Sequence, residues 1–380
     1  MESATAVRLP QPQATGAKPR WYRADNIRWL LCFNVICEHM LTQTGCTVNG
    51  AMELIVVWSR MITMPGFCFL SGYFSKKTDK CYTTAISDFL IPYLIFNGLF
   101  VLVFGSGTPN FFTPTFLYWY MLCMFFWKIF IRALSNVKYI IPISFAVALL
   151  VGIYGDVAEF VCASRTLVFL PYFLVGYFMS REQVAKMEKL PKLPVLLVTL
   201  VVMGVWGWLN LRYADGSGST GLLEAFSIGG GREREVLAAH VYDIDFYYNW
   251  QGYGYYGFWD SSVLGPMWQG LIMRIAGYLV SGVLIVAFFN LVPDRELPLI
   301  TAGGRRTMPP YLLHAYVIMN LRYLIEFVPA LDQWYIMLPA AVIFGVGLMW
   351  LLGLPALNDL YNDFAKWLRK FFIREEKKAA

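Results

Sequence analysis

Two side chains that can bind anions and move protons lie in the first apolar segment, spaced to share one helix face. Arg28 and His39 are eleven positions apart, so in a helix they lie on nearly the same face, about 16 Å apart along the axis. Asp25, one turn earlier, is close enough to orient the Arg28 guanidinium. Taken singly, Arg28 is more simply a helix anchor and His39 a packing histidine. Because ionisable groups at membrane depth are costly and usually mark a function, we expect Arg28 and His39 to line a common cavity.

A second imidazole, His314, also follows a basic segment and falls within an apolar stretch. Histidine can accept or give a proton near neutral pH, which makes His39 and His314 candidate catalytic residues. Arg60 lies in the second apolar segment at a depth similar to His39, where a guanidinium could stabilise a developing oxyanion. An ion pair of Arg60 with Glu53 or Glu38 is an equally good interpretation.

Several cations are expected to meet at the cytoplasmic ends of these segments. A phosphate-bearing ligand entering from that side would meet Arg28, Lys76, Lys77, Arg305 and Arg306 together. Each of these alone is more simply a signal of membrane topology. Ser71 and Gly72, just before Lys76, permit close backbone approach.

The composition predicts the elements that hold these residues. Hydrophobic residues make up 58% and charged residues 15% of the 380 positions, with a mean hydropathy of +0.52. These values indicate an all-α, polytopic membrane protein. Segments that meet or approach the roughly 20 apolar residues of a span number ten: 27–43, 52–74, 84–104, 114–133, 138–154, 164–180, 194–211, 267–291, 307–326 and 333–354. Every second connection is basic, which predicts that both termini are cytoplasmic.

The sequence divides into a flexible basic leader (1–24), a membrane domain (25–360) and a basic cytoplasmic tail (361–380). The membrane domain contains a long extracytoplasmic insertion at 212–266 that is rich in glycine and, over 246–260, in aromatic residues. Such rings beside Asn, Gln and Asp suit a sugar. An aromatic belt resting on the bilayer is an equally good interpretation.

Other classes of function are unsupported. The net charge of +6 comes from basic residues beside apolar segments, so topology explains it and no nucleic-acid partner is predicted. The seven cysteines lie mostly within apolar segments and read as small core residues. Nucleotide-binding glycine motifs and metal-ligand spacings are absent from the sequence, so we predict no metal. The polar leader and the charges of the first segment argue against a cleavable signal peptide.

Four stretches, in order, resemble the integral-membrane acyltransferase-3 proteins, most closely their fucose 4-O-acetylase-related branch. Pro92-Tyr93 and Trp119 also fall where that family often has a Pro-Tyr pair and a tryptophan. The four stretches are Asp25-x-x-Arg28 followed by ten residues and His39, then 64–74, 165–178, and 304–314 with the sequence Gly-Arg-Arg-Thr-Met-Pro-Pro-Tyr-Leu-Leu-His. Two features depart from the family pattern: Pro309-Pro310 at a helix start and the length of the 212–266 insertion.

This resemblance implies transfer of an acyl group, usually acetyl, from a cytoplasmic coenzyme A thioester to a carbohydrate hydroxyl. Acyl-CoA, a carbohydrate or glycan acceptor and membrane lipid are then the partners, and a homo-oligomer is compatible with the sequence. His39 would act as general base or carry the acyl group itself, with Arg60 and His314 stabilising the oxyanion or the leaving group. The expected contacts to acyl-CoA come from Asp25, Arg28, Ser71, Lys76, Lys77 and Arg306, and those to the acceptor from Glu38, Trp119 and Arg165.

Two alternatives remain at the level of the sequence. The same charged line could serve a transporter or flippase for a polar solute, which predicts broken helices and an internal repeat; no convincing repeat is visible. The second alternative is a scaffold protein without catalytic activity, and the presence of all four stretches argues against it. Plasma membrane and endomembrane locations are not distinguished.

Overall fold

A computed structural model describes residues 20–43, 50–105, 108, 110–151, 160–214, 264–325, 327–328 and 334–372. Over these ranges the chain forms helices and no strand, which confirms the predicted all-α class. The leader up to residue 19, most of the 212–266 insertion with its aromatic run, and the last eight residues lie outside the described ranges.

Fourteen α-helices are numbered here in chain order within the described ranges. A π-helical turn at Ile86–Leu90 joins α3 to α4, and a 3₁₀ turn at Phe116–Tyr118 leads into α5. The helices are α1 Tyr22–Gln43, α2 Gly50–Tyr73, α3 Thr78–Ala85, α4 Ile91–Phe104, α5 Trp119–Leu134, α6 Ile140–Leu150, α7 Ala163–Phe178, α8 Arg181–Glu188, α9 Lys192–Ala214, α10 Leu264–Leu291, α11 Ile300–Gly304, α12 Met308–Ile325, α13 Trp334–Leu352 and α14 Pro355–Phe372.

Five helical stretches in the described ranges are long and apolar enough to cross a membrane, and a sixth is possible if the bent pair Arg181–Lys189 and Lys192–Gly207 counts as one span. The predicted count of ten therefore stays a prediction. Helix α1 is not among these five stretches because its mean hydropathy is low. Its 22 residues nevertheless reach about 33 Å, which is long enough for a span. It carries Asp25, Arg28 and Glu38 in that length, and these charges depress its mean hydropathy.

Helix α1 occupies a central place, packed against α2, α11, α12 and α13. Asn26, fully buried, fixes its N-terminal end. The Asn26 amide nitrogen donates to the Pro293 and Arg295 carbonyls at 3.0 and 3.1 Å, and its oxygen accepts from the Thr301 hydroxyl at 2.6 Å. The loop before α11 is held in this way, and Arg305, just after α11, contacts the same Asp25 carboxylate as Arg28.

Helices α2 and α7 approach each other through paired glycines. A Cβ at Gly72 would lie 1.8 Å from the Phe173 carbonyl oxygen, and one at Gly176 would lie 2.0 Å from that of Phe69. Small residues at facing positions allow such backbone contact between membrane helices. This packing brings α2, with Arg60 and Ser71, against the rest of the bundle.

Replacement of Gly176 by Ala is expected to lower stability by about 1–3 kcal/mol or more, because the added methyl would overlap the Phe69 carbonyl and force the helices apart. Gly204→Ala is the matched control, since nothing lies within 4 Å of a Cβ there and alanine favours a helix over glycine. Thermal unfolding in detergent should show a lower Tm for Gly176→Ala and an unchanged or higher one for Gly204→Ala. Equal Tm values for the two variants would contradict the close approach.

Helix α14 crosses the predicted boundary between membrane domain and tail at residues 360 and 361. Its apolar residues recur at helical spacing, and Arg369 near its end forms an ion pair with Asp88 at 2.8 Å. The described part of the tail is thus an amphipathic helix fixed to the π-helical turn before α4. The sequence analysis noted the basic residues of this tail and did not predict an amphipathic helix.

Candidate active site

The structure joins the two intramembrane histidines of α1 and α12. The Nδ1 atom of His39 lies 2.9 Å from Nε2 of His314, and the two rings stack with centroids 5.2 Å apart. His314 is fully buried, and the side chain of His39 is 15% exposed. The Phe116 ring covers His39 with a centroid distance of 4.5 Å. Residues 275 positions apart therefore form one unit.

Hydrogen bonding fixes the tautomers of this pair when both rings are neutral. His314 Nδ1 lies 2.8 Å from the Pro310 carbonyl oxygen, which can only accept, so Nδ1 carries the proton and Nε2 has the lone pair. His39 Nδ1 must then donate to His314 Nε2. The remaining nitrogen of His39, Nε2, is left with a lone pair and is the basic atom of the unit.

A carboxylate and a guanidinium flank that basic nitrogen. Glu38 places one oxygen 3.8 Å from His39 Nε2 and the other 3.1 Å from Arg60 Nε. The ion pair with Glu38 considered for Arg60 is thus present, whereas the side chain of Glu53 lies outside the described part. The Arg60 guanidinium and the Glu38 carboxylate form an ion pair beside the ring. The carboxylate of this pair can stabilise an imidazolium formed by protonation of His39 Nε2.

A cavity of about 220 Å³ lies beside Arg28, towards the N-terminal end of α1 from the histidine pair. Neither histidine belongs to its wall, so it is not by itself the common cavity expected for Arg28 and His39. Tyr311 borders both regions: it lines the cavity, and its ring centroid is 6.2 Å from that of His314. The wall is formed by Arg28, Phe67, Leu70, Ser71, Phe74, Ser75, Phe89, Tyr120, Met124, Lys128, Thr307, Met308 and Tyr311.

Asp25 organises the cations around Arg28. Its buried carboxylate lies 2.9 Å from Arg20 Nε, 3.3 Å from an Arg28 terminal nitrogen and 3.5 Å from Arg305 Nε. Three guanidinium groups around one carboxylate leave a net positive charge beside the cavity. The Arg28 guanidinium also lies 4.4 Å from the centre of the Phe74 ring, which holds it at the cavity wall.

The other predicted cations do not line this cavity. Lys76 donates to the Met179 carbonyl and lies 4.5 Å from the centre of the Tyr73 ring, and partial burial lowers the pKa of its ammonium group. Lys77 is exposed just before α3. Arg306 donates to the carbonyls of Ala302 and Gly353, at 3.2 and 3.0 Å. Ser71 does line the cavity, 2.7 Å from the Tyr120 hydroxyl.

The predicted acceptor residues fall into two groups. Glu38 is beside the histidines. Arg165 and Trp119 are together, with the buried guanidinium 5.0 Å from the centre of the indole, and the indole stacks on Phe169 at 5.2 Å. Trp119 follows Phe116 by three residues, so this second group adjoins the residue that covers His39.

Sequence reading missed Lys128, Tyr120 and Tyr311 as residues of the site. Lys128 was assigned to topology as part of a basic connection, and the two tyrosines are unremarkable within apolar stretches. The only signal for Tyr311 was its place three residues before His314. Among the described residues, no group of three or more His, Cys, Asp or Glu could hold a metal ion.

The described helices pack around a buried imidazole pair with an arginine-lined cavity on one side. Five of their stretches are long and apolar enough to cross a membrane, which indicates a helical membrane protein. A model of the Acyl_transf_3 family, described as an acyltransferase domain, matches residues 21–354. The chain belongs to this acyltransferase family and is a membrane acyltransferase. Comparison with curated proteins and with solved structures gives no match. The family does not favour the transporter alternative.

Proposed function

We propose that this protein transfers an acyl group, in the first place acetyl, from cytoplasmic acyl-CoA to a hydroxyl of a carbohydrate acceptor. The observation that carries the proposal is the hydrogen bond between His39 Nδ1 and His314 Nε2, because it leaves His39 Nε2 as a base within the membrane domain. The fucose 4-O-acetylase-like resemblance supports the choice of acceptor and donor.

In the proposed reaction, His39 Nε2 takes the proton of the acceptor hydroxyl while the hydroxyl oxygen attacks the thioester carbonyl carbon. The tetrahedral intermediate then collapses, the carbon–sulfur bond breaks, and His39 returns the proton to the leaving sulfur. The products are an ester and free coenzyme A. Glu38 and His314 stabilise the transient imidazolium, one at each ring nitrogen, and Arg60 forms an ion pair with Glu38.

The donor is proposed to occupy the cavity beside Arg28. The phosphates would lie near Arg28 and the arginines grouped around Asp25, and the pantetheine arm would pass Tyr311 towards the histidines. The separation of about 16 Å between Arg28 and His39 along α1 is comparable with the length of that arm. Of the predicted donor contacts, Asp25, Arg28 and Ser71 fit this placement best, whereas Lys76, Lys77 and Arg306 are engaged or positioned elsewhere.

The acceptor is proposed to approach from the opposite side, near Arg165 and Trp119. The indole offers an apolar face to a sugar ring and the guanidinium offers donors to its hydroxyls. These residues adjoin Phe116, which covers His39, so a hydroxyl bound there would be directed towards the base.

The proposed donor is tested with purified protein in detergent. Acetyl-CoA and free coenzyme A, each at about 100 times Kd, are expected to stabilise the folded form by about 2.7 kcal/mol and raise Tm, whereas an unesterified pantetheine should do so only weakly. Longer acyl-CoAs in the same assay report chain-length preference. With labelled acetyl-CoA and a panel of glycans, label should appear in an alkali-labile ester. If coenzyme A compounds leave Tm unchanged and no ester forms, the donor assignment is wrong.

A further inference from the structure

Lys128 on α5 is a half-buried lysine, and the acidic side chain near it is that of Asp88. No ion pair or hydrogen bond joins its ammonium group to another described residue, and its only aromatic contact is with Phe89, 5.3 Å from the ring centre. The nearby carboxylate of Asp88 is engaged by Arg369 at 2.8 Å and by the Ser87 hydroxyl at 2.7 Å. Because Asp88 is already engaged, the charge of Lys128 is only partly compensated within the described residues, and an anion in the adjoining space would stabilise it.

The cavity supplies the place for that anion. Lys128 and Arg28 both line it, from different helices, and none of its described lining residues is an Asp or Glu. The hydroxyls of Ser71 and Tyr120 bond to each other at 2.7 Å, and the one O–H that is not used in this bond adds a donor to the same wall. Two cations and two hydroxyl groups around one space form a site for a multiply charged anion.

The height of Lys128 matches that of Arg28. Phe116, whose ring contacts His39, precedes Lys128 by twelve residues, which is about 18–20 Å along the 3₁₀ turn and α5. Arg28 precedes His39 by about 16 Å along α1. Both cations therefore lie at a similar distance from the base.

We propose that Lys128 and Arg28 together hold the phosphate-bearing end of the ligand that delivers the acyl group. The ligand class is a diphosphate ester, and Lys128 is a binding residue that selects it over an uncharged thioester. Under the proposed function, that ligand is acyl-CoA.

The test compares Lys128→Gln, Lys128→Arg and, as matched control, Lys138→Gln, which removes an exposed lysine from the connection after the same helix. Binding of coenzyme A, pantetheine and inorganic pyrophosphate is followed by thermal shift in the full-length protein. Because a charge-assisted contact is lost, Lys128→Gln should weaken coenzyme A and pyrophosphate binding at least tenfold and leave pantetheine unchanged. Lys128→Arg should restore most of the binding, and Lys138→Gln should match wild type.

The outcomes separate this inference from the proposed function. If Lys128→Gln binds coenzyme A within twofold of wild type, the role of Lys128 is overturned while the donor stands. If pyrophosphate stabilises wild type but not Lys128→Gln, and coenzyme A has no effect on either, the anion site stands and coenzyme A is the wrong donor. If neither compound stabilises wild type, both proposals fail.

Discussion

Replacement of His39 by Ala is expected to lower kcat for acyl transfer by about 10²–10⁴-fold, the usual contribution of a positioned general base. His39 Nε2 is the one ring nitrogen of the pair with a free lone pair, since His39 Nδ1 and His314 Nδ1 both donate and His314 Nε2 accepts. Alanine leaves no group to take the proton of the acceptor hydroxyl. The measurement is ester formation from labelled acetyl-CoA at saturating donor.

The control for this variant is donor binding in the same preparation. Coenzyme A should raise the Tm of His39→Ala as much as that of wild type, because Arg28 and the cavity lie on the far side of Tyr311 from the imidazole. Unaltered binding with lost transfer assigns His39 to the chemical step. Full transfer activity in His39→Ala would remove the basis of the proposed mechanism.

Local features of α1 were predictable from the sequence. The spacing of Asp25, Arg28 and His39 follows from helix geometry alone, and the contact of Asp25 with Arg28 at 3.3 Å is of the kind that three residues of separation allow. The ion pair of Arg60 with Glu38 was one of two partners weighed. Interactions within one helix, or between consecutive helices, leave few alternatives for the sequence to distinguish.

The histidine pair could not be derived in the same way. His39 and His314 lie on α1 and α12, and a sequence does not fix the rotation of one helix relative to another that is so distant in the chain. The contact depends on Gly304, where a Cβ would lie 1.9 Å from the Asp25 carbonyl oxygen, and on the clamp at Asn26. These features help to place the start of α12 beside α1, and the sequence alone does not show that Gly304 packs against the Asp25 backbone.

The basic residues show a second limit of prediction from the sequence. At the level of the sequence, the positive-inside rule accounts equally well for Lys76, Lys77, Lys128 and Arg306. The contacts in the structure distinguish their roles. Arg306 donates hydrogen bonds to backbone carbonyls, whereas Lys128 lines the cavity together with Arg28. A topological signal and a ligand contact have the same appearance in a sequence, so the sequence did not distinguish Lys128, which lines the cavity, from Lys76, Lys77 and Arg306, which do not.

Replacement of His314 by Leu is expected to lower kcat by about 100-fold, the low end of what a general base contributes, with little change in KM for the donor. Leucine removes the acceptor for His39 Nδ1–H. The His39 ring then loses the hydrogen bond that orients it and that stabilises its protonated form. His314→Gln should recover part of the rate, because its side-chain oxygen can accept from His39 while its nitrogen donates to Pro310. Steady-state kinetics of both variants, beside their Tm values, test this. A general loss of packing would lower the rates of both variants alike. Equal rates for His314→Leu and His314→Gln at equal Tm would therefore exclude a positioning role for His314, and His39 would act alone.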